Sequence, residues 1–326
     1  TGCPLDSDGD GVPDGIDLCP TTAPGADVAA TGEVLGAVGV EVADNGPGFS
    51  EEAARRVFEP YFTTKDACKI FYTNYGVEAS NPVVIFLNGT TQTTLYWGSL
   101  VPACSKRFGL LCYDARAQGQ SDLGILPISL KLHVSDLKDL LAYLAVDTAH
   151  LVGISHGAWV ALAFSAEYPE MVDHLVLCSL SAKTNDRSRT IIRSWLEILR
   201  LSGLEAMAWA ALPTVFGNDF LNQHQKILDK IVDAVVLRNS RRSLIAQLEA
   251  VLGYPAPDSM TKNLNQPALV MSGAEDPIID PADVRQLADL CNARHEELSG
   301  IGHSIPAEAP QAFARLVMEF LSENIK

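Results

Sequence analysis

The chain has 326 residues, of which 47% are hydrophobic and 20% charged, and it carries a net charge of −16 at pH 7. This length suits one large domain with additional segments, and no apolar run approaches the roughly 20 residues that a membrane-spanning helix needs. Up to Asp66 we count 13 acidic and 3 basic residues, and no basic stripe follows, which argues against a nucleic-acid partner.

The first 24 residues form an acidic segment with carboxylates at regular spacing. Carboxylate oxygens that alternate around a glycine are typical of calcium-binding loops, and Gly11 follows such a run here. The candidate ligands are Asp6, Asp8, Asp10, Asp14 and Asp17. With Cys-Pro pairs on both sides, at Cys3 and Cys19, the segment resembles a thrombospondin type 3 calcium repeat. The resemblance implies a structural calcium ion, and an acidic tail without a metal is the alternative.

Residues 25–66 contain two stretches that are similar to a different family. Val40–Phe49 and Phe58–Lys65 resemble parts of the ATP-binding domain of sensor histidine kinases, in which the aspartate of a D-x-G-x-G motif contacts adenine. The sequence lacks the asparagine-bearing helix and the glycine-rich lid of that domain, so we expect no complete nucleotide pocket. Together with the calcium-repeat-like segment, this stretch predicts a mosaic N-terminus that is fused, chimeric or mis-joined.

From residue 67 onward, short apolar segments alternate with helical patterns. This alternation is typical of parallel βαβ units, so we predict an α/β fold with a mostly parallel central sheet and helices on both faces. The predicted strands are Lys69 to Tyr75, Val83 to Leu87, Gly109 to Tyr113, Leu151 to Ile154, Leu175 to Cys178, Leu269 to Met271 and Arg294 to Leu298.

The loop after the predicted strand Val83 to Leu87 is a candidate for binding an oxyanion. Asn88 and Gly89 precede Thr90 there, and an N–H group from such a loop completes the oxyanion hole of sites built around a serine in a strand-to-helix turn. We predict that the backbone N–H of Thr90 is this donor. An ordinary Asn-Gly turn is the alternative.

The pentapeptide Gly153–Gly157 has Ser155 at its centre, between an apolar strand and a helical pattern. A serine in a sharp strand-to-helix turn exposes its hydroxyl, and glycines two positions before and after it clear the crowded turn. The N-terminus of the following helix then faces developing negative charge. This spacing predicts that Ser155 is a nucleophile and that the backbone N–H of His156 is an oxyanion donor.

Residues 182–261 interrupt the alternation with a long helical insertion. Because it lies between two predicted strands, we expect it to form a cap over the active site. Its aromatic residues would line an apolar pocket or pack the core of the cap itself. These residues are Trp195, Trp209, Phe216 and Phe220.

A serine nucleophile needs an orienting acid and a base, which follow it in the order Ser, Asp, His. Asp276 comes shortly after the predicted strand Leu269 to Met271, and His303 lies in a glycine-bracketed loop before the final helix. We predict that Asp276 is the acid and His303 the base. The alternatives are an aspartate that forms a turn before Pro277 and a histidine in a surface loop.

These motifs resemble the α/β-hydrolase family from about Ala67 to the C-terminus. The segment Tyr113–Asp122 is similar to the family's D-x-R-G-x-G-x-S-D segment and departs from it at Ala117 and Gln118. Asn88 replaces the histidine of the family's His-Gly turn, as in the enol-lactonase and related esterase branch. The implied division is a hydrolase core at 67–181 and 262–326 and a helical cap at 182–261.

The resemblance implies a serine hydrolase that cleaves carboxylic esters or lactones of small to medium, largely apolar substrates through an acyl-serine. No cofactor is required for this catalysis. A C–C bond hydrolase of dienoic ring-fission products is the second hypothesis, although its glycine-rich oxyanion segment is not matched at Asn88–Thr91, and acyl transfer to another acceptor is the third. Haloalkane and epoxide hydrolases are disfavoured because their nucleophile is an aspartate. A non-catalytic ligand receptor or calcium-dependent binding module is the alternative from another class.

Five cysteines are scattered through the hydrolase-like part of the chain, as reduced thiols of a cytosolic enzyme are. They are Cys68, Cys104, Cys112, Cys178 and Cys291. Cys3 and Cys19 could pair, which the sequence does not decide. With no secretory signal following Thr1, we expect a cytoplasmic protein that acts on a small-molecule ester, although the N-terminal segment would suit an extracytoplasmic one.

Overall fold

The computed structural model describes residues 61–77 and 82–323. Outside this range lie the predicted calcium ligands and the two cysteines beside them, together with most of the kinase-like segment 25–66. The calcium ligands are Asp6, Asp8, Asp10, Asp14 and Asp17. Within the described ranges, no helix has the length and apolar character needed to cross a membrane.

Eight strands form one sheet in the described chain. They are β1 (Tyr61–Thr63), β2 (Lys69–Tyr75), β3 (Val83–Leu87), β4 (Gly109–Tyr113), β5 (Ala149–Ile154), β6 (Val172–Cys178), β7 (Ala268–Gly273) and β8 (Arg294–Leu298). Their order across the sheet is β1-β2-β4-β3-β5-β6-β7-β8. β1 pairs with β2 and β2 with β4 in antiparallel fashion, whereas all pairings from β4 to β8 are parallel. The predicted α/β fold with a mostly parallel sheet is therefore confirmed.

The helices of the described chain lie between and after these strands. They are α1 (Val101–Cys104), α2 (Leu130–Tyr143), α3 (His156–Glu167), α4 (Asp186–Ser202), α5 (Leu204–Val215), α6 (Asn218–Gln223), α7 (Leu228–Arg238), α8 (Arg241–Leu252), α9 (Pro281–Leu290), α10 (Ile305–Glu308) and α11 (Pro310–Ser322). Helices α4 to α8 follow one another between β6 and β7, within the predicted insertion 182–261. We refer to α4 to α8 as the inserted helices.

The central strands are buried on both faces of the sheet. Every residue of β3, β4, β5 and β7 is buried, and parallel strands covered on both sides read as continuous apolar runs. Alternate residues of one strand enter different cores: Ile85 belongs to the core that includes α2 and α3, whereas Phe86 packs with Phe313 of α11. The sheet therefore has a helical layer on each face.

The strand β1 extends the sheet at its antiparallel edge. Just after it, the buried guanidinium of Arg116 bonds to Asp66 and to Asp136, at 2.8 Å each. Residues 61–63 thus form part of the sheet, and Asp66 is bonded to it through Arg116. The sequence instead predicts that the hydrolase core begins at residue 67. The difference has a physical cause: a three-residue strand is too short to show a pattern of its own, and its pairing depends on β2.

Candidate active site

Ser155 lies in the sharp turn between β5 and α3. Its backbone has φ +52° and ψ −116°, a region that residues other than glycine rarely adopt and that is often found at functional sites. The flanking glycines are required by space: a Cβ on Gly153 would lie 2.5 Å from the carbonyl oxygen of Gly157, and one on Gly157 would overlap that of Leu87. The N–H of Ser155 donates to the Cys178 carbonyl at 2.8 Å, which ties the turn to β6.

Asp276 and His303 form a hydrogen-bonded pair beyond the carboxyl ends of β7 and β8. His303 Nδ1 and Asp276 Oδ2 are 2.6 Å apart, and the two residues are 8% and 6% exposed. The other carboxylate oxygen of Asp276 accepts the N–H groups of Ile278 at 2.8 Å and Ile279 at 3.3 Å. With Nδ1 paired to the carboxylate, Nε2 of His303 is the nitrogen that can exchange a proton with another group.

A cavity of about 60 Å³ brings the predicted residues together. Thr90, Ser155, His156 and His303 all line it, and Asp276 is bonded to His303. They meet because β3, β5, β7 and β8 are parallel, so that their carboxyl ends lie at one edge of the sheet. Most of the remaining lining is apolar and comes from Trp159, Leu180, Ile192, Trp195, Leu248, Val251, Pro257, Ile278 and Ile279.

The aromatic residues of the inserted helices have different environments. Trp195 lines the cavity, whereas Phe216 and Phe220 stack with ring centroids 4.3 Å apart in the core of the inserted helices themselves. Trp209 is 40% exposed. Trp195 therefore lines the cavity that contains Ser155, Phe220 packs the core of the inserted helices, and Phe216 both packs in that core and lines a second cavity.

The loop after β3 carries Thr90 to the cavity wall. The side chain of Asn88 anchors the start of this loop: its Nδ2 donates to the carbonyl of Tyr113 at 2.9 Å, and its Oδ1 accepts the indole N–H of Trp97 at 2.7 Å. On the far side, the side chain of Asn239, at the end of α7, donates to the carbonyl of Thr91 at 3.1 Å. The loop is thus held by β4 and by the inserted helices.

The ring of His156 is buried beneath the serine turn. Its Nε2 is 3.3 Å from the Tyr254 hydroxyl, and the ring meets that of His133 edge to face at 4.8 Å. Burial lowers the pKa of His156 to about 4 and the pKa of His133 well below its usual value, so both rings are neutral near pH 7. As the first residue of α3, His156 has its N–H at the positive end of the helix dipole.

Asp114 organises the loops around the cavity and is not among the predicted site residues. Its carboxylate accepts the N–H of Thr94 at 2.7 Å and that of Gln120 at 2.9 Å. Burial nevertheless raises the pKa of Asp114 to about 6. Asp114 is the first residue of the D-x-R-G-x-G-x-S-D-like segment, so this motif could have identified it as a residue that organises the site.

Two further residues missed by the sequence analysis contact the loop of His303. Ser179, directly after β6, has φ +53° and donates to the carbonyl oxygen of His303 at 2.7 Å. Glu308 accepts N–H groups from the residues on both sides of His303. Neither residue has a recognisable motif, because both act on backbone atoms.

The described lining of the cavity contains no lysine, arginine, aspartate or glutamate. Within residues 61–77 and 82–323, no group of three or more His, Cys, Asp or Glu side chains is placed to hold a metal ion. The groups that meet at this cavity are the hydroxyl of Ser155 and the imidazole of His303 paired with the Asp276 carboxylate.

Comparison with known proteins places the chain in a family. A model described as the alpha/beta hydrolase family matches residues 84–316. The 3-oxoadipate enol-lactonase 2 of Acinetobacter baylyi is 24% identical over 260 residues, which cover 80% of this chain and 95% of the relative.

Solved structures agree. An alpha/beta hydrolase enzyme from a Medee basin deep-sea metagenome library has a TM-score of 0.76 at 28% identity, covering 82% of this chain and 98% of that one. The enol-lactonase from Burkholderia xenovorans LB400 has a TM-score of 0.74 at 27% identity, covering 81% of this chain and 100% of that one. With its mostly parallel sheet and a family match over more than half its length, the chain belongs to the α/β-hydrolase family, and the protein is a hydrolase.

Proposed function

We propose that the protein is a serine hydrolase that cleaves carboxylic esters or lactones of small to medium, largely apolar substrates. The observation that carries this proposal is the meeting, on one cavity, of Ser155 in its strained turn and of His303 bonded to Asp276. A nucleophile, a base and an acid that orients the base are the groups that acyl transfer through a covalent intermediate requires.

In the first half of the reaction, His303 Nε2 accepts the Ser155 proton while Oγ attacks the substrate carbonyl carbon. Asp276 holds Nδ1 and stabilises the imidazolium that forms. The backbone N–H groups of Thr90 and His156 stabilise the oxyanion. His303 then gives the proton to the leaving oxygen, and the acyl-serine forms. In a lactone this oxygen stays attached to the acyl group.

In the second half, a water molecule attacks the acyl-serine. His303 takes the proton of this water, and the same two N–H groups stabilise the second oxyanion. The collapse of this intermediate breaks the bond to Ser155 Oγ, which recovers its proton from His303, and a carboxylic acid leaves. At the end of the cycle Ser155 and His303 have returned to their starting protonation states, and one water molecule has been consumed.

The charge of the cavity bears on the class of substrate. The similar Acinetobacter protein is named for an enol lactone of 3-oxoadipate, and such a lactone keeps one free carboxylate. In the present cavity, the described lining offers that carboxylate no lysine or arginine. Because an unpaired buried charge is costly, we infer a preference for neutral esters and lactones.

A second cavity, of about 110 Å³, extends the apolar space beside the site. Thr91 and Ser304 line it, and each is adjacent in sequence to a residue of the first cavity. Most of its other lining comes from the inserted helices, including Met207, Ala208, Leu212, Phe216, Ile231 and Val235. We infer that residues 182–261 act as a cap over a core formed by 67–181 and 262–326, and that this cavity holds an apolar arm of the substrate.

Hydrolysis of p-nitrophenyl acetate, butyrate and octanoate tests the proposal. We expect Ser155→Ala to lower kcat by about 10⁴-fold or more. Ser259→Ala, which removes an exposed hydroxyl, serves as the matched control and should behave like wild type. A wild-type protein that turns over no ester, or a fully active Ser155→Ala variant, would overturn the proposal.

The same assay, extended to a dienoic ring-fission product and to an added alcohol, separates three alternative functions. Faster turnover of a dienoic ring-fission product than of any ester would identify a C–C bond hydrolase with the same nucleophile. Binding of esters without turnover by either route would identify a ligand receptor. Partition of the acyl group to an added alcohol, measured from the products, would identify an acyltransferase.

A further inference from the structure

The loop that carries His303 is hydrogen-bonded to the inserted helices. The carbonyl oxygen of Val215, the last residue of α5, accepts the backbone N–H groups of His303 at 2.9 Å and Ser304 at 3.1 Å. The imidazole that pairs with Asp276 is therefore attached, through its own backbone, to the inserted segment. Any displacement of α5 would be transmitted to the ring.

Glu308 strengthens this attachment with one side chain. It lies at the end of α10, and its Oε2 accepts the N–H of Gly217 at 2.8 Å and that of Gly302 at 3.0 Å. Its Oε1 accepts the N–H of Ser304 at 3.2 Å. A single carboxylate thus binds the residues on both sides of His303 and the turn between α5 and α6.

The two backbone segments that meet at Glu308 are too close for side chains. A Cβ on Gly302 would lie 2.5 Å from the Gly217 nitrogen, and a Cβ on Gly217 would lie 3.0 Å from the Gly302 nitrogen. The N–H groups of both glycines therefore reach the same carboxylate oxygen. Burial raises the pKa of Glu308, and the N–H groups of Gly302, Gly217 and Ser304 act to lower it. In the carboxylate form the hydrogen bonds that Glu308 accepts are roughly twice as strong as neutral ones, so this contact is well suited to fix the loop.

We propose that Glu308 is a positioning residue, which holds His303 at the distance and angle from Ser155 that proton transfer requires by joining the His303 loop to the inserted helices. This inference rests on the proposed hydrolase function of the same site. Glu308 does not line the cavity that contains Ser155, among the residues that the structure describes. Its loss should therefore affect proton transfer and leave substrate binding largely unchanged.

Steady-state kinetics of two Glu308 variants test the proposal. In Glu308→Ala we expect kcat for p-nitrophenyl butyrate to fall about 10- to 100-fold with KM within about twofold, because displacement of a catalytic group by about 1 Å has costs of this size. Glu308→Gln should be intermediate: its oxygen can accept the two glycine N–H groups, whereas its NH₂ opposes the N–H of Ser304. Glu319→Gln, which changes an exposed carboxylate paired with Arg315, is the control and should match wild type.

A second measurement needs no substrate. The proton between His303 Nδ1 and Asp276 Oδ2, which are 2.6 Å apart, should give a downfield ¹H NMR resonance. We expect this resonance to broaden or shift in Glu308→Ala and to stay unchanged in Glu319→Gln. If wild type hydrolyses no ester but the resonance changes as expected, the proposed function fails and the positioning role of Glu308 stands.

Two results would overturn the positioning role. The first is wild-type kcat in folded Glu308→Ala and Glu308→Gln. The second, in a protein without ester turnover, is an unchanged resonance in both variants. If Glu308→Ala fails to fold, Glu308→Gln alone tests the positioning role. The readout is kcat if the wild type hydrolyses esters, and the downfield resonance if it does not.

Discussion

At the scale of single residues, Asp276 is the most heavily bonded member of the candidate site. Its Oδ2 is hydrogen-bonded to His303 Nδ1, and its Oδ1 accepts the N–H groups of Ile278 and Ile279. The backbone bonds fix the carboxylate, and the carboxylate fixes the ring. The predicted role of this residue is therefore testable by a change that keeps its shape.

In Asp276→Asn the amide oxygen can still accept the backbone N–H groups, but the NH₂ then faces Nδ1 of His303. This arrangement favours the wrong tautomer of the imidazole. We expect kcat for ester hydrolysis to fall by about 10⁴-fold. Steady-state kinetics of Asp276→Asn measures this loss. Asp289→Asn, which changes an exposed aspartate of α9, is the control and should match wild type. A loss of less than about tenfold would mean that Asp276 does not orient the base.

At the scale of elements, β1 pairs with β2 at the edge of the sheet, and a charge network lies directly after it. Arg116, whose side chain is fully buried, bonds to Asp66 shortly after β1 and to Asp136 of α2. The hydrogen bond from Arg116 holds the pKa of Asp66 at about 2. The edge of the sheet is thus connected to a helix on its face through one guanidinium.

We expect Arg116→Met to lower the free energy of unfolding by about 3–5 kcal/mol, because it leaves two carboxylates together without their cation. Hydrogen exchange of the β1 amides should also become faster. Lys65→Met is the matched control: its partner is Asp139, but the lysine side chain is 85% exposed, so its loss should cost less than about 1 kcal/mol. Urea unfolding measures both, and equal effects would contradict the role given to Arg116.

At the scale of the whole molecule, buried histidines couple stability to pH. Burial lowers the pKa of His150 and His156 to about 4, and it lowers the pKa of His133 and His174 below the usual value. An unfolded histidine titrates near about 6.5, so the unfolded chain binds more protons between about pH 4 and 6.5. The free energy of unfolding therefore rises with pH in this window, by up to about 1.4 kcal/mol per pH unit for each histidine. Asp114, whose pKa is raised to about 6, acts in the opposite direction.

We expect acidification from about pH 7 to about pH 5 to destabilise the protein and His150→Leu to weaken this dependence. His150 packs between Phe108 and His174, with ring centroids 5.7 and 4.8 Å away, and it does not line the Ser155 cavity. Urea unfolding across this pH range measures the slope, and ester turnover near neutral pH shows whether the variant is intact. If the free energy of unfolding of His150→Leu changes with pH as steeply as that of wild type, His150 does not contribute to the pH dependence.

Much of the fold and the main candidate residues could be predicted from the sequence because they depend on local patterns. A strand buried on both faces, such as Val83–Leu87, must be apolar throughout. Ser155 is recognisable because its turn excludes side chains at Gly153 and Gly157, which are its neighbours in sequence. Asp276 and His303 are recognisable because each comes in a loop shortly after a strand of the sheet.

Only the tertiary structure decided the strand order, the place of β1 and the contacts of Glu308. Strand order and the pairing of β1 depend on hydrogen bonds between strands that are distant in sequence. Such bonds leave no periodic pattern in the sequence of either paired strand. Glu308 binds the backbone N–H groups of Gly217 and Gly302, and the need for glycine at these two positions arises only where their segments meet, so no local motif marks the contact. The sequence by itself determined which residues could react, and the packing of distant backbone segments decided how they are held.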